Sequence, residues 1–151
     1  MSIKIVAKNR KARFEYFLLD YYEAGLVLQG SEIKSIRAGH ISIAEAYVRI
    51  LDDEAWLIDA HIAPYDQASH FNHDPRRARK LLLHRTELNR LIKAVQTKGL
   101  TIIPTKVYLK NGRAKVEIAL AKGKKHHDKR QVIAKRDVER EIQRQLHRRD
   151  G

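Results

Sequence analysis

An asparagine–glycine pair, Asn111 and Gly112, constrains the fold of this 151-residue chain more than any other feature. Both residues tolerate the positive φ that a two-residue hairpin turn requires. The segments on either side, Thr101 to Leu109 and Lys115 to Ala121, have the character of strands, and in the second one apolar and polar residues alternate. The pair therefore predicts an antiparallel hairpin with one buried face.

Further short strands are predicted upstream of the hairpin. The last two flank an acidic turn made by Asp52, Asp53 and Glu54. The predicted strands are Phe14 to Leu19, Ala24 to Leu28, Tyr47 to Leu51 and Ala55 to Ile58.

Two helices are predicted between these strands. The first runs from Ser31, which can cap it, to Arg37, with Gly39 as the stop. The second has apolar residues at helical spacing from Leu88 to Val95, with Thr86 as its cap and Gly99 as its stop. About six short strands with two short helices favour an α+β fold that is mainly β, namely a small OB-like antiparallel barrel with flanking helices.

The charge of the chain is strongly positive and unevenly distributed. Lys and Arg number 31 against 18 acidic residues, which gives a formal net charge of +13 and favours a polyanionic partner such as nucleic acid. Residues 122–151 contain 11 basic and 5 acidic residues in one fifth of the chain. We therefore expect a barrel over residues 1–121 and a basic tail over residues 122–151 that is disordered alone and helical on a partner.

Several classes of protein are disfavoured. The chain has no cysteine, which excludes disulfides, thiolate zinc sites and cysteine nucleophiles. Basic residues interrupt the first 16 positions, and no apolar run approaches a membrane span, so we expect a cytoplasmic protein without a signal peptide.

The search for catalytic or metal-binding residues gives little. His70, His73 and Asp74 are metal-ligating types, but their spacing fits no common signature, and phosphate-binding glycine motifs are absent. Glu23 and Glu32 are expected to be solvated. We therefore predict no catalytic residue, no metal and no cofactor.

Three basic segments lie next to predicted strand ends: Asn9 to Arg13, Asp74 to Lys80 and Lys122 to Arg130. Together they favour a surface that follows RNA phosphates, to which Arg10, Lys11 and Arg13 would contribute. Tyrosines could stack on unpaired bases. The stacking candidates are Tyr16, Tyr21, Tyr22 and Tyr65, whereas Tyr47 and Tyr108 are expected to pack in the fold and Trp56 is expected in the core.

Four stretches, in this order, resemble the small protein B family, the SsrA-binding proteins of bacterial trans-translation. They extend over about 120 residues, so the resemblance covers nearly the whole chain. The stretches are NRKARFEYF (Asn9 to Phe17), EAGLVLQGSEIKSIRAG (Glu23 to Gly39), DPRRARKLLL (Asp74 to Leu83) and AKGKKHHDKR (Ala121 to Arg130).

The resemblance implies a non-enzymatic adaptor that binds the tRNA-like domain of transfer-messenger RNA (tmRNA). It also implies delivery of that RNA, by a monomer acting with elongation factor Tu, to ribosomes stalled on messages without a stop codon. The family's RNA-contact positions correspond here to Asn9, Tyr16, Glu23, Leu82, Gly123 and Lys124.

The tail motif of the family implies binding to the decoding centre and the empty message channel of the small ribosomal subunit. The tail residues assigned to this contact are His127, Asp128, Lys129, Arg130, Arg140 and Arg144. Two other readings of a small basic chain stay open at this point: an RNA-processing nuclease using His or Glu as a base, and a structural ribosomal protein.

Overall fold

The computed structural model describes residues 2–65 and 72–124. Within these residues it contains nine strands and three helices. In chain order they are β1 (Ile3–Lys8), α1 (Ala12–Glu15), β2 (Tyr16–Leu26), α2 (Gly30–Arg37), β3 (Ile41–Ser42), β4 (Tyr47–Leu51), β5 (Glu54–Ile58), β6 (His61–Ile62), β7 (Arg79–Leu82), α3 (Arg85–Lys98), β8 (Thr101–Lys110) and β9 (Arg113–Gly123).

Seven of the strands form one antiparallel sheet in the order β1-β8-β4-β5-β7-β2-β9. Because β8 also pairs with β9, the sheet closes on itself, and β1 is added at the side of β8. Because the ring is closed, its strands have hydrogen-bonded neighbours on both sides. The predicted class, a small antiparallel β-barrel with flanking helices, is confirmed.

Both predicted turns are present. Asn111 and Gly112 have φ angles of 52° and 80°, and they join β8 to β9 with Lys110 opposite Arg113. Asp52 and Asp53 also adopt positive φ, 51° and 59°, between β4 and β5. The left-handed backbone that asparagine, aspartate and glycine tolerate thus closes both hairpins.

The first two predicted strands are in fact one. β2 runs unbroken from Tyr16 to Leu26 because β9 pairs with it from Gly123 back to Lys115. Phe14 and Glu15, predicted to be extended, belong to the short helix α1 instead.

The two longer helices begin one or more residues from where the sequence places them. Gln29, not Ser31, caps α2, and its backbone N–H donates to the Glu32 side chain at 2.8 Å in a capping box. His84, not Thr86, precedes α3, whose left-handed Gly99 at φ 63° ends the helix as predicted.

The barrel interior is aliphatic. Leu88 and Leu91 of α3 pack against it, and buried residues of β4, β5, β8 and β9 fill it. Trp56, which was expected in the core, is only half-buried because it alternates with the buried Ala55 and Leu57 along β5. In the part of the chain that is described, no helix is both long enough and apolar enough to cross a membrane.

Candidate RNA-binding surface

A bulge in β2 places the side chains of the candidate site on one face. Leu18 pairs with Ala121 and Tyr21 with Ala119, so β2 has one residue more than β9 between these pairs. Tyr16 and Tyr21 are five positions apart, so in a regular strand they would point to opposite faces; the bulge brings them to the same face. We call the face shared by Tyr16, Tyr21 and Glu23 the outer face, because Val116, Ile118 and Leu120 of β9 point from the other face into the barrel.

A cationic groove of about 370 Å³ opens at one end of the outer face. Residues of β1, α1 and the loop between them form one wall, and residues of β2, β8 and β9 form the other. The groove contains four cations, Lys8, Arg10, Arg13 and Lys106, beside Asn9, Tyr21 and Glu117. An open groove with this surplus of positive charge suits a phosphate backbone.

Asn9 fixes the loop between β1 and α1, which carries Arg10. Its backbone N–H donates to the Thr105 carbonyl at 2.8 Å, and its side-chain Nδ2 donates to the Pro104 carbonyl at 3.1 Å. Two hydrogen bonds to β8 therefore hold the loop in place. Arg10 and Lys11, which follow directly, are exposed.

Lys124 joins the end of β9 to α1. Its backbone N–H donates to the Glu15 carbonyl at 3.0 Å, and its ammonium donates to the Arg13 carbonyl at 2.6 Å. The same ammonium lies 5.3 Å from the centre of the Phe17 ring. Because Gly123 pairs with Tyr16, the structure brings four predicted site residues, Arg13, Tyr16, Gly123 and Lys124, to one place.

Glu23 lies further along the outer face and is ionised. Tyr108 donates its hydroxyl hydrogen to Glu23 Oε2, and Lys110 Nζ lies 3.4 Å from the same oxygen. The hydrogen bond from Tyr108 lowers the pKa of Glu23, partial burial opposes this, and Lys110 and Lys115 lower the pKa further. Tyr108 packs in the fold as predicted. Its hydroxyl is a site group that the sequence does not reveal, because the tyrosine is 85 positions from Glu23 in the chain.

Leu82 is exposed over the outer face, with 54% of its surface accessible. It pairs with Gly25 of β2, and a Cβ atom at Gly25 would lie 3.4 Å from Leu82 Cβ. The glycine therefore lets the leucine lie close over β2. An exposed apolar side chain at this place is available to an apolar surface of a partner.

The predicted basic segment from Asp74 to Lys80 is only partly a cationic surface, because Arg76 is exposed near Glu45 and the other two arginines bind Glu32. Arg79 is fully buried, and its Nε donates to Glu32 Oε2 at 2.6 Å. Arg77 donates to the other oxygen of Glu32 at 2.5 Å. The expectation that Glu32 is solvated was wrong as well, since its side chain is completely buried.

His73 is a buried structural residue. Its Nδ1 is 2.8 Å from the Ser31 hydroxyl, and its Nε2 is 2.9 Å from the Ile62 carbonyl. Among residues 2–65 and 72–124, no group of three metal-ligating side chains is placed to hold an ion. His70 and all the predicted ribosome-binding residues of the tail, His127 to Arg130 with Arg140 and Arg144, lie outside the described residues.

Comparisons with known proteins agree with one another. The SmpB protein family matches residues 6–148. The SsrA-binding protein of Chloroflexus aggregans (strain MD-66 / DSM 9485) is 57% identical over 148 residues, covering 97% of this chain and 94% of that protein. The SsrA-binding protein of Desulforudis audaxviator (strain MP104C) is 57% identical over 141 residues, covering 93% and 92%.

A solved structure is similar in fold as well as in sequence. It comes from work described as "tmRNA-SmpB: a journey to the center of the bacterial ribosome", and its chain is 49% identical to this one with a TM-score of 0.66. The match covers 81% of this chain and 86% of the solved chain. Sequence, family and fold point the same way, and the chain belongs to the SmpB family of SsrA-binding proteins.

Proposed function

We propose that this chain is an RNA-binding adaptor of trans-translation: it binds the tRNA-like domain of tmRNA and brings that RNA to stalled ribosomes. The chain acts as a binder and not as a catalyst. It works in the cytoplasm as a monomer, together with elongation factor Tu. Membership of the SsrA-binding protein family supports the choice of RNA, and the solved tmRNA–SmpB relative supports the ribosome as the second partner.

The observation that carries the proposal is the cationic groove together with the outer face beside it. One surface presents exposed Arg10 and Arg13 for phosphates, the exposed ring of Tyr21 for stacking, and the exposed Leu82 as an apolar wedge. Folded RNA with splayed bases at a loop or elbow offers a partner for each of these groups.

Leu82 gives the sharpest test of RNA binding because the chain offers a matched control. Leu51, at the tip of the β4–β5 hairpin, is 51% exposed, close to the 54% of Leu82. We expect Leu82→Ala to weaken binding of a tRNA-like-domain transcript in a filter-binding titration and Leu51→Ala to leave it unchanged. Equal affinities for the two variants would argue against the outer face as the RNA site.

The tail is proposed to engage the ribosome and not tmRNA. A chain that ends after Lys125 keeps the groove and the outer face, and it lacks His127 to Arg130, Arg140 and Arg144. In a reconstituted translation reaction stalled on a message without a stop codon, we expect this chain to bind tmRNA and to fail to tag the stalled peptide. If the shortened chain lost RNA binding, and tagging fell no further than that loss explains, the assignment of ribosome binding to the tail and RNA binding to the barrel would be refuted.

The same titrations test the absence of catalysis. The RNA recovered after incubation with the full chain is expected to be intact. Cleavage that His127→Ala abolishes would identify a nuclease instead.

A further inference from the structure

We infer that Tyr108 is a positioning residue, which fixes Glu23 as an acceptor for a hydrogen-bond donor of the bound RNA, either a base N–H or a ribose 2′-hydroxyl. This inference rests on the proposed function, because it concerns how the same outer face recognises RNA. It assigns a role to a carboxylate that a phosphate-binding surface would otherwise be expected to avoid.

The geometry of the carboxylate is the first step of the argument. The Tyr108 hydroxyl and the Lys110 ammonium both contact Oε2 of Glu23. Among the described residues no hydrogen bond reaches Oε1. Two donors on one oxygen fix the orientation of the group and leave the lone pairs of the other oxygen for a ligand.

The burial of the tyrosine makes this a rigid arrangement. Tyr108 is 7% exposed and lies two residues before the end of β8, whereas Glu23 is exposed on β2. The side chain of Tyr108 crosses β9, the strand between them, to reach the carboxylate. A buried hydroxyl that needs an acceptor therefore holds the exposed carboxylate in one position.

Electrostatics then selects what Oε1 can accept. An ionised carboxylate repels a phosphate, so on an RNA surface it is favourable only opposite an N–H or O–H donor. The neighbouring Lys110 and Lys115 keep Glu23 charged and neutralise its field toward nearby phosphates. RNA offers two kinds of donor at such a position, the amino and imino groups of unpaired bases and the ribose 2′-hydroxyl.

A purely structural reading is that Tyr108 and Glu23 only join β8 to β2 across β9. That reading predicts a loss of stability and no preference for any atom of the RNA. Removing Glu23 also distinguishes the inference from an effect of charge alone, because the two predict opposite changes in RNA affinity. Charge alone predicts that removing a carboxylate strengthens RNA binding, whereas our inference predicts that removing Glu23 weakens it.

The experiment compares full-length Tyr108→Phe, Glu23→Gln and the control Glu54→Gln. Glu54 lies on β5, outside the groove, and its side chain is 42% exposed against 40% for Glu23; like Glu23 it is paired with a lysine, Lys80, at 3.0 Å. Affinity for the tRNA-like-domain transcript is expected to fall about tenfold for Glu23→Gln, which loses a charged acceptor, and several-fold for Tyr108→Phe, which loses the alignment of that acceptor. Glu54→Gln is expected to bind as tightly as the unchanged chain or more tightly.

The atom that Glu23 accepts from is identified with altered transcripts. One set removes base donors: single unpaired guanosines are replaced by inosine or 1-methylguanosine, adenosines by purine riboside, cytidines by zebularine and uridines by 3-methyluridine. The other set carries single 2′-deoxy substitutions. At the contacted nucleotide, the unchanged chain is expected to lose about tenfold in affinity and Glu23→Gln to lose nothing further. If the affinity falls with a base analogue, the donor is a base N–H; if it falls with a 2′-deoxy substitution, the donor is the ribose 2′-hydroxyl.

Tighter binding by Glu23→Gln would overturn the inference, and so would a Tyr108→Phe chain with a lowered melting temperature and full RNA affinity. Since Glu23 is exposed, its variant tests the inference even where Tyr108→Phe folds poorly. Failure of the unchanged chain to bind the transcript would instead overturn the proposed function, so the two failures are distinguishable.

Discussion

At the scale of single residues, the arrangement with most consequence for folding is the buried pairing of Glu32 with two arginines. Arg79 donates to Glu32 and also to the carbonyls of Ala60 and Pro75, at 2.8 Å and 3.1 Å. Burial by itself raises the pKa of Glu32, but hydrogen bonds from Arg77, the Gln29 amide and Arg79 outweigh it and hold the pKa below the ordinary value. The segment before β7 is thus tied to α2 by ionised groups inside the protein.

Glu32→Ala is expected to be strongly destabilising, because it leaves the buried Arg79 guanidinium without its carboxylate. Removing one partner of a buried pair costs about 3–5 kcal/mol in the free energy of unfolding. Urea denaturation followed by circular dichroism measures this. The control is Glu54→Ala, which removes the surface partner of Lys80 at 3.0 Å and should cost less than about 1 kcal/mol.

The stability that ionised Glu32 contributes is expected to fall as the pH is lowered. Because the folded-state pKa of Glu32 is depressed, its contribution is present above the ordinary value of 4.5 and is lost as pH falls through the folded pKa. Glu32→Gln should therefore show a flatter decline in the free energy of unfolding on acidification than the unchanged chain.

The comparison of the two alanine variants tests the argument from burial. If Glu54→Ala lowered the free energy of unfolding as much as Glu32→Ala does, that argument would be refuted.

At the scale of elements, the features predicted correctly are those that depend on one or two neighbouring residues, namely turns and helix ends. The turn at Asn111 and Gly112 and the stop at Gly99 are correct because a positive φ restricts the choice of residue. The two-residue strands β3 and β6 are too short to show any periodicity.

The elements and contacts that were missed depend on distant parts of the chain. The continuity of β2 depends on its pairing with β9, about a hundred positions away. The burial of Arg79 by Glu32 and the bond between Glu23 and Tyr108 are likewise contacts between distant residues, which a charge or a tyrosine in the sequence does not reveal.

Replacing either of two glycines by alanine is expected to change stability in opposite directions, because one lies in a turn and the other begins a helix. Gly112 has φ 80° in the β8–β9 turn, so Gly112→Ala should destabilise the barrel by about 1–2 kcal/mol. Gly30 begins α2, and no atom lies within 4 Å of where its Cβ would be. Gly30→Ala should therefore be neutral or stabilising by up to about 1 kcal/mol. Thermal unfolding of both variants checks this, and a shift of the same sign in both would contradict it.

At the scale of the whole molecule, β2 separates two cationic surfaces. Its outer face borders the groove that contains Arg10 and Arg13. On the other side of β2, α3 borders a second cleft with Arg90, Lys93 and Lys98. A net charge of +13 describes both surfaces equally, so only the placement of Asn9, Tyr21, Glu23 and Leu82 distinguishes the one proposed to bind tmRNA.

The dependence of RNA affinity on salt measures which surface binds. Changing Arg10, Lys11 and Arg13 together to Gln removes three exposed charges next to the groove, and changing Arg90, Lys93 and Lys98 removes three exposed charges from α3. Each phosphate contact contributes roughly 0.7–0.9 to the slope of log affinity against log salt. The first variant should therefore have a slope shallower by about two units for the tRNA-like domain, whereas the second keeps the slope of the unchanged chain. Because the two variants lose the same net charge, equal reductions in slope would mean that RNA binding follows the charge of the whole molecule and not the geometry of the outer face.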